Sequence, residues 1–483
     1  MRKSKLLSIL IAAMLIMGLL AGCSSDSNTD TTEATTAADA TQATTQAVEK
    51  AVLKLGIWPE DTNPNEVALH EGYAEVFRQA HPDVELVPAN YKYATDTFVS
   101  LAEAGNLPTI FETWFTEPQK LIKGGFVRDI TDILEERGWL DDINPSIRTL
   151  LSDSNGRVYG IPRDGYALGL MLNVELFEQA GLVNADGSIQ YPKTWQEVAE
   201  MGKKIKDATG SAGLVILAKD NAGGWHFSNI AWNFGADLTT TDADGKFHAN
   251  LNSPEAIAAM EYVKSLRWEY DILTADPTNE DWGTGFVNLG TGAAAMYIGA
   301  NDAVNQPTET NGLPVDKLAL VPMPAGPGGQ YSLSGGTPYM FSADATDAEV
   351  NAALDYLEIM GKAPVVTDDA IAGMKADAEY RVNAGIPVIP RFPAWTNPEL
   401  LAAEQAIIDE YSNIDLKLFN DYFTATKTEG NLKLEEEGAT QDMYAQLTNV
   451  LQAVLTDKNA DVTSLMNTAN TNYQGILDSG LNK

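Results

Sequence analysis

Apolar and polar positions fall into short alternating runs broken by Gly, Pro, Asn and Asp, and their periods predict a mixed α/β protein. Residues 51–58, AVLKLGIW, read as an opening strand that ends in the polar loop 59–64. Leu69, Tyr73, Val76 and Phe77 recur at helical spacing, and His81-Pro82-Asp83 stops that helix before a strand over 84–87. Strand, helix, strand is the unit of a parallel sheet. A second helix follows over 98–104 and a third strand over 109–112, with Trp114 just past its end. In open α/β sheets ligands bind outside such carboxyl ends, where Trp58 also falls.

The stretch around which the pattern turns is 159–182, YGIPRDGYALGLMLNVELFEQAGL, which reads as a turn, a buried strand and a helix. Pro162 has no N–H and forces Ile161 into extended geometry. Residues 166–172 are apolar without alternation, as in a strand covered on both faces, although periodicity alone equally describes a short buried helix. Polar side chains stand only at its entrance, Arg163 and Asp164. This strand is expected to carry the chain from one lobe to another, with those side chains and Tyr166 facing the space between.

Further along, Thr194-Trp195-Gln196-Glu197 has capping-box spacing and opens a helix to Lys206. A strand over 214–217 and an aromatic-rich helical segment over 225–234 follow, then a hairpin turn at Asp244-Gly245. Ser253 and Pro254 open another helix, with Ile257, Met260, Val263, Leu266 and Tyr270 as its buried stripe. Residues 286–301 read as helix end, Gly-rich turn and strand, and 318–322 as a strand. The Gly/Pro-rich 324–329 with 332–336 is expected to be a second crossing between lobes. Thr346 and Glu349 repeat the capping box before a helix with Val350, Leu354 and Leu357 on one face; the rest is mostly helical, except the extended 386–395, IPVIPRFPAW.

Composition adds the compartment. At 483 residues the chain can bury a large core without staples, and its single cysteine, Cys23, excludes a disulfide framework and a thiolate zinc site. The four scattered histidines argue against a His-ligated metal. Arg2, Lys3 and Lys5, the apolar run 6–20 and Leu20-Ala21-Gly22-Cys23 resemble a bacterial lipobox, which implies a signal peptide over 1–22 and a diacylglycerol on Cys23. Residues 23–50 lack large apolar side chains and read as a disordered tether with a reach of roughly 30 Å. Removing 1–22 leaves 29 basic against 67 acidic residues, −38, which disfavours nucleic acid and anionic lipid as ligands.

Catalytic motifs are absent: no P-loop, His-Glu-x-x-His or Gly-x-Ser-x-Gly is present. Gly290-Thr291-Gly292 is read as a close-packed turn, and Asp242-x-Asp244-Gly245 as a hairpin turn and not a calcium loop. Aromatic side chains give the stronger signal. Trp58, Trp114, Tyr166, Trp225, Trp232 and Trp395 fall in predicted loops or element ends, and a flat apolar face with a polar edge suits a sugar ring. Core packing accounts equally for any single one of them. Asp61, Glu112, Asp164, Asn301 and Asp302 are acceptors suited to sugar hydroxyls, with turn formation or capping as the competing reading.

Several motifs together resemble the extracellular solute-binding proteins of family 1, carbohydrate receptors of bacterial ABC importers similar to maltose-binding protein. They are residues 20–23, 53–58 and 108–111, Gly160-Ile161-Pro162 through Asn173 to Leu182, residues 193–197, Phe286 to Met296, and the closing helices over 444–477. The resemblance implies a two-lobed periplasmic-binding-protein-like (type II) α/β fold with hinge-crossing strands. Lobe 1 is expected to comprise 51–161 plus about 332–390, and lobe 2 162–331 plus about 391–483. It also implies Trp58 and Trp114 as platforms from the first lobe, Trp225, Trp232 and the 299–302 loop from the second, and Ser334 and Gly335 at the returning crossover. Where the family carries an acidic residue after the third-strand Pro, this chain has Thr109. The implied protein is a monomeric, lipid-anchored receptor that binds without turnover or cofactor and delivers a carbohydrate to permease subunits served by a separate ATPase. A secreted carbohydrate-active enzyme and a surface adhesin remain the alternatives.

Overall fold

The computed structural model describes residues 51–482 apart from Asp96, Gly187 and Glu429. Cys23, the segment 1–22 and the tether therefore lie outside the described residues.

The described strands are β1 Ala51–Gly56, β2 Val84–Pro88, β3 Ile110–Glu112, β4 Gly160–Asn173, β5 Thr239–Thr241, β6 Phe247–Ala249, β7 Met296–Ala300, β8 Leu318–Val321, β9 Ser332–Phe341 and β10 Leu432–Lys433. One sheet runs β2-β1-β3-β9-β4-β7, with β8 on β4 and β10 on β9. β1 pairs in parallel with β2 and β3, as the βαβ pattern requires, whereas β3, β4, β7 and β8 join through antiparallel ladders. β5 and β6 form the hairpin around Asp244-Gly245.

β4 and β9 are the two crossings. Gly160 to Ala167 of β4 pair with β9, and Leu168 to Asn173 pair with β7 and β8. The strand begins at Gly160, where a turn was expected, and spans 14 residues. Pro162 is tolerated there because it faces Pro338, so both missing donors share one rung. The register then slips between Pro162 and Asp164, which leaves Arg163 as the extra residue of a β-bulge. Beyond it Leu168, Leu170 and Leu172 enter one core while Ala167 and Met171 enter another, the two-sided burial that an unalternating apolar run implies.

Two large cores lie on either side of these crossings. The first gathers Leu53, Leu55, Phe77, Phe111, Tyr339 and Leu354; the second gathers Leu168, Trp195, Trp232, Val263, Tyr444 and Tyr473. A third, smaller core covers the other face of β7 and β8 with Phe286, Tyr297, Phe419 and Tyr422. Near residue 390, where one change of lobe was expected, Ile386 and Ile389 pack with that third core, while Ala394, Trp395, Leu400 and Ile407 pack in the first.

Local signals behave as their chemistry dictates. Thr346 and Glu349 make a complete capping box, and Ser253 caps a helix with Pro254 at its first turn. Thr194 caps Trp195–Thr209 by accepting from Glu197 N, but the Glu197 carboxylate takes the N–H of Lys193 instead of closing the box. Two expectations fail. Val76 points to solvent, and His70 and Ala74 take the inner face of Pro64–Ala80. Residues 214–217 make only isolated bridges, Leu214 to Leu273 and Val215 to Tyr297, although all four are buried.

Candidate functional site

Between the crossings and the loops at the strand ends lies a cavity of about 560 Å³, within the range of small-molecule sites. Its floor is Arg163 and Tyr166 of β4 with Gly336 and Thr337 of β9. One wall carries Tyr91, Tyr93, Glu112 and Trp114, from the ends of β2 and β3. The opposite wall carries Trp225, Trp282, Phe286, Asp302, Glu435 and Tyr444. Trp114 and Trp282 are each 43% exposed, which leaves their faces free for a ligand. Trp225 is braced edge-on by Tyr166 at 6.4 Å, and Trp114 by Tyr93 at 5.3 Å. A relay of amides spans the walls: Asn221 Nδ2 donates to Gln441 Oε1 (2.9 Å), and Gln441 Nε2 to Thr116 Oγ1 (3.2 Å).

Of the residues expected at the site, Glu112, Trp114, Tyr166, Trp225 and Asp302 line this cavity. Asp164 and Asn301 instead line a narrower cleft of about 70 Å³ that Asp302 also borders, with Asp377, Arg381 and Arg391. Asn301 is a strut, its Oδ1 accepting from Ala167 N (3.3 Å) and the Tyr422 hydroxyl (2.8 Å). Trp58 is half-buried against His70, edge-on at 5.6 Å, because the chain turns after Gly56 toward the first core, and Asp61 is exposed in the loop that follows. Trp232 is buried in the second core with Nε1 donating to Glu436 (2.7 Å). Trp395 is buried on Trp139 and donates to the Lys362 carbonyl (3.1 Å). Ser334 is buried in the β4–β9 ladder, and Gly335 makes room for Tyr166, whose Oη would lie 2.4 Å from a Cβ there. Thr109 ties β1 to β3 by accepting from Lys54 N and donating to the Val52 carbonyl.

Sequence reasoning missed Tyr91, Tyr93, Trp282, Glu435 and Tyr444 as lining residues. Tyr91-Lys92-Tyr93 alternates just past a strand, and Trp282 opens a helix capped by Asp281, both element ends where a lining aromatic is legible, although Tyr93 is itself buried. Glu435 lies in the run Glu435-Glu436-Glu437, which reads as a solvated face.

Charge in the site is organised by Arg163. Its Nη1 donates to Glu112 Oε2 at 2.9 Å and its Nε lies 3.2 Å from Asp164 Oδ2; Lys362 reaches Asp164 from behind at 3.1 Å. Burial pushes the Asp302 carboxyl up to about 6, with Arg163 partly offsetting it. Burial likewise pushes Glu435 up to about 7, against a hydrogen bond from the Tyr444 hydroxyl. Both native carboxyls hold protons that the unfolded chain has lost, so their stabilisation is complete at low pH and disappears as pH rises through 6 to 7. The thermal midpoint is therefore expected to drop between pH 5 and 7.5, and the drop to be smaller in Asp302→Asn. Equal slopes in the two proteins would remove Asp302 from this account. Among the described residues no cluster of His, Cys, Asp or Glu is arranged to hold a metal, and no helix is long and apolar enough to cross a membrane.

Two lobes joined by paired crossing strands around a cavity rich in aromatic residues define a ligand-binding protein of the hinged class. The model of the bacterial extracellular solute-binding protein family matches residues 62–365, more than half of the chain, and the chain belongs to that family. It is 27% identical over 188 residues to the lactose-binding protein of Rhizobium radiobacter, covering 36% of this chain and 42% of that protein. To the sn-glycerol-3-phosphate-binding periplasmic protein of Shigella flexneri it is 26% identical over 217 residues, 42% of this chain and 47% of that one. The chain thus aligns with less than half the length of these relatives. The structure of maltose-bound MalE3 of T. maritima matches with a TM-score of 0.64 at 20% identity, covering 88% of this chain and 99% of that one, a likeness of fold.

Proposed function

We propose that this protein is the substrate receptor of a bacterial ABC importer, capturing an extracellular saccharide in the cavity between its lobes and presenting the closed form to membrane permease subunits. The observation that carries the reading is the aromatic lining from both walls, with Trp114 and Trp225 on opposite sides and Trp282 beside them. Rings so placed offer apolar faces to the C–H surface of a sugar, while Glu112, Arg163 and Asp302 supply polar contacts to hydroxyls. The lactose- and maltose-binding relatives support the same ligand class. A ligand touching both walls binds the closed arrangement better than the open one and shifts the population toward it. The protein acts by binding, not turnover; the ATPase is another chain, since this one has no phosphate loop. Cys23, lipidated after removal of 1–22, holds the receptor, a monomer, at the outer face of the cytoplasmic membrane through the 23–50 tether. Asp164, Asn301, Ser334 and Gly335 serve this site from behind the crossings rather than by touching sugar.

Titration with mono- and oligosaccharides, followed by tryptophan fluorescence and calorimetry, tests the reading. A saturable response without products is expected, and bound sugar is expected to raise the thermal midpoint by mass action. Products accumulating over time identify an enzyme instead, and silence across the panel ends the receptor reading. Trp225→Ala is expected to weaken the best sugar by about 2 kcal/mol, roughly thirtyfold. Unchanged affinity would take Trp225 out of the site.

A further inference from the structure

We propose that Glu435 is a specificity-determining residue of the cavity, the counter-ion for a saccharide bearing a basic nitrogen, so that the preferred ligand class is amino sugars. The proposal rests on the saccharide-receptor reading and names the substrate class within it.

Two adjacent carboxylates are put to opposite uses. β10 pairs Leu432 and Lys433 with Ser332 and Leu333 of β9, which brings the following residues up to the second crossing. Glu436 is then fully engaged: it accepts from Trp232 Nε1 (2.7 Å), Leu238 N (3.1 Å) and Thr239 N (3.3 Å). That triple anchor pins the segment to the second core. Glu435, turned the other way, lines the cavity and is held by one hydrogen bond, from the Tyr444 hydroxyl to Oε1 at 3.1 Å.

No cation pairs with Glu435 among the described residues. The cavity's guanidinium, Arg163, is taken by Glu112 and Asp164, and Lys92 stands exposed on the rim. The charged group that acts on Glu435 from the opposite wall is another carboxylate, Glu117, itself held by the Tyr93 hydroxyl (2.6 Å) and Lys120 (3.7 Å). Tyr166 and Tyr444 are the remaining titratable groups facing it, and both stay neutral through burial. A carboxylate taken out of water without a partner is costly, and the carboxyl is accordingly held toward its neutral form. Lobe closure over a ligand removes still more water from it.

A ligand ammonium completes this arrangement. It supplies the missing opposite charge to Glu435 in a cavity that Tyr166 and Trp225 also line, and aromatic rings attract cations through their quadrupoles. A neutral hydroxyl supplies a hydrogen bond but no charge, and leaves Glu435 uncompensated.

Calorimetry on the whole protein at pH 7.5, with matched neutral, 2-amino and 2-N-acetyl sugars, tests this. The pairs are glucose with glucosamine, galactose with galactosamine, and cellobiose with the glucosamine disaccharide. In at least one pair the amino sugar is expected to bind about tenfold or more tighter than its neutral and acetylated partners, the size of a charge-assisted bond in a dry site. Glu435→Gln, nearly isosteric, is expected to abolish that preference. Glu437→Gln, on the exposed side of the same run and outside the cavity lining, is expected to retain it. Circular dichroism and the thermal midpoint establish that each variant is folded. Neutral sugars binding as tightly as amino sugars, or a preference that survives Glu435→Gln, overturn the proposal while leaving the receptor reading intact. Failure of every saccharide, aminated or not, overturns both.

Discussion

Gly224→Ala is expected to destabilise the protein by about 2–3 kcal/mol and to remove most of its ligand affinity. Gly224 lies in the helix Ala222–Phe234 where that helix crosses Thr440–Thr456. A Cβ there would stand 2.3 Å from both the Cα and the carbonyl O of Tyr444, which are backbone atoms without a rotamer to change. The two helices must part, and with them the bond from Gly224 N to Thr448 Oγ1 (2.9 Å). The gain in helix propensity from Gly to Ala, about 1 kcal/mol, is too small to offset overpacking of this kind. The effect on binding follows from position: Trp225 and Tyr444, one on each helix at the contact, both line the cavity. Gly475→Ala is the control. It is exposed in the helix Val462–Gly480 with nothing within 4 Å of its Cβ, and should stabilise by about 0.5–1 kcal/mol. Thermal melts and calorimetry on both variants decide the matter, and a Gly224→Ala protein as stable as its parent would show that the helices adjust without cost.

What could be read from the chain divides by the range of the physics involved. Thr346 and Glu349, or Ser253 and Pro254, announce helix starts because a cap is satisfied within four residues. The unalternating run 166–172 announced a strand buried on both faces because burial acts on each residue separately. The aromatic residues divided differently. Trp58, Trp232 and Trp395 sit in the same kinds of local sequence as Trp114 and Trp225, yet Trp232 and Trp395 pack into cores and Trp58 lies half-buried against one, because the direction of a loop is set by what it meets far along the chain. Trp232 meets Glu436, 204 positions away, and Trp395 meets Trp139. Glu435 was illegible for the same reason: within Glu435-Glu436-Glu437 nothing local separates the carboxylate that anchors from the one that faces the cavity. Residues 214–217 have the composition of a ladder strand and are buried as one would be, but Leu214 and Val215 make isolated bridges to two different segments.

Arg163→Met is expected to cost about 2–3 kcal/mol, toward the low end of what breaking a buried ion pair costs because both partners are about a quarter to a third exposed. Met keeps the bulk of the stem, so the loss reports charge rather than a cavity. Removing the guanidinium strips Glu112 of its ion-pair partner and takes from Asp302 the main positive charge that opposes its burial, while Asp164 keeps Lys362. The double variant Arg163→Met with Glu112→Gln is therefore expected to recover about 1 kcal/mol or more, since the orphaned charge is gone; strict additivity of the two changes would show that the pair is not coupled. A second consequence concerns the hinge itself. Arg163 is the bulged residue of β4, next to the Pro162–Pro338 rung, and from there its side chain reaches Glu112. The bulge without its ion pair keeps the backbone slip but loses the contact that ties the crossing strand to the end of β3. Ligand affinity in Arg163→Met is accordingly expected to fall even for sugars that make no contact with the guanidinium. Restoring charge with Lys should recover less than half of it, because a single ammonium cannot span Glu112 and Asp164 as the planar fork does.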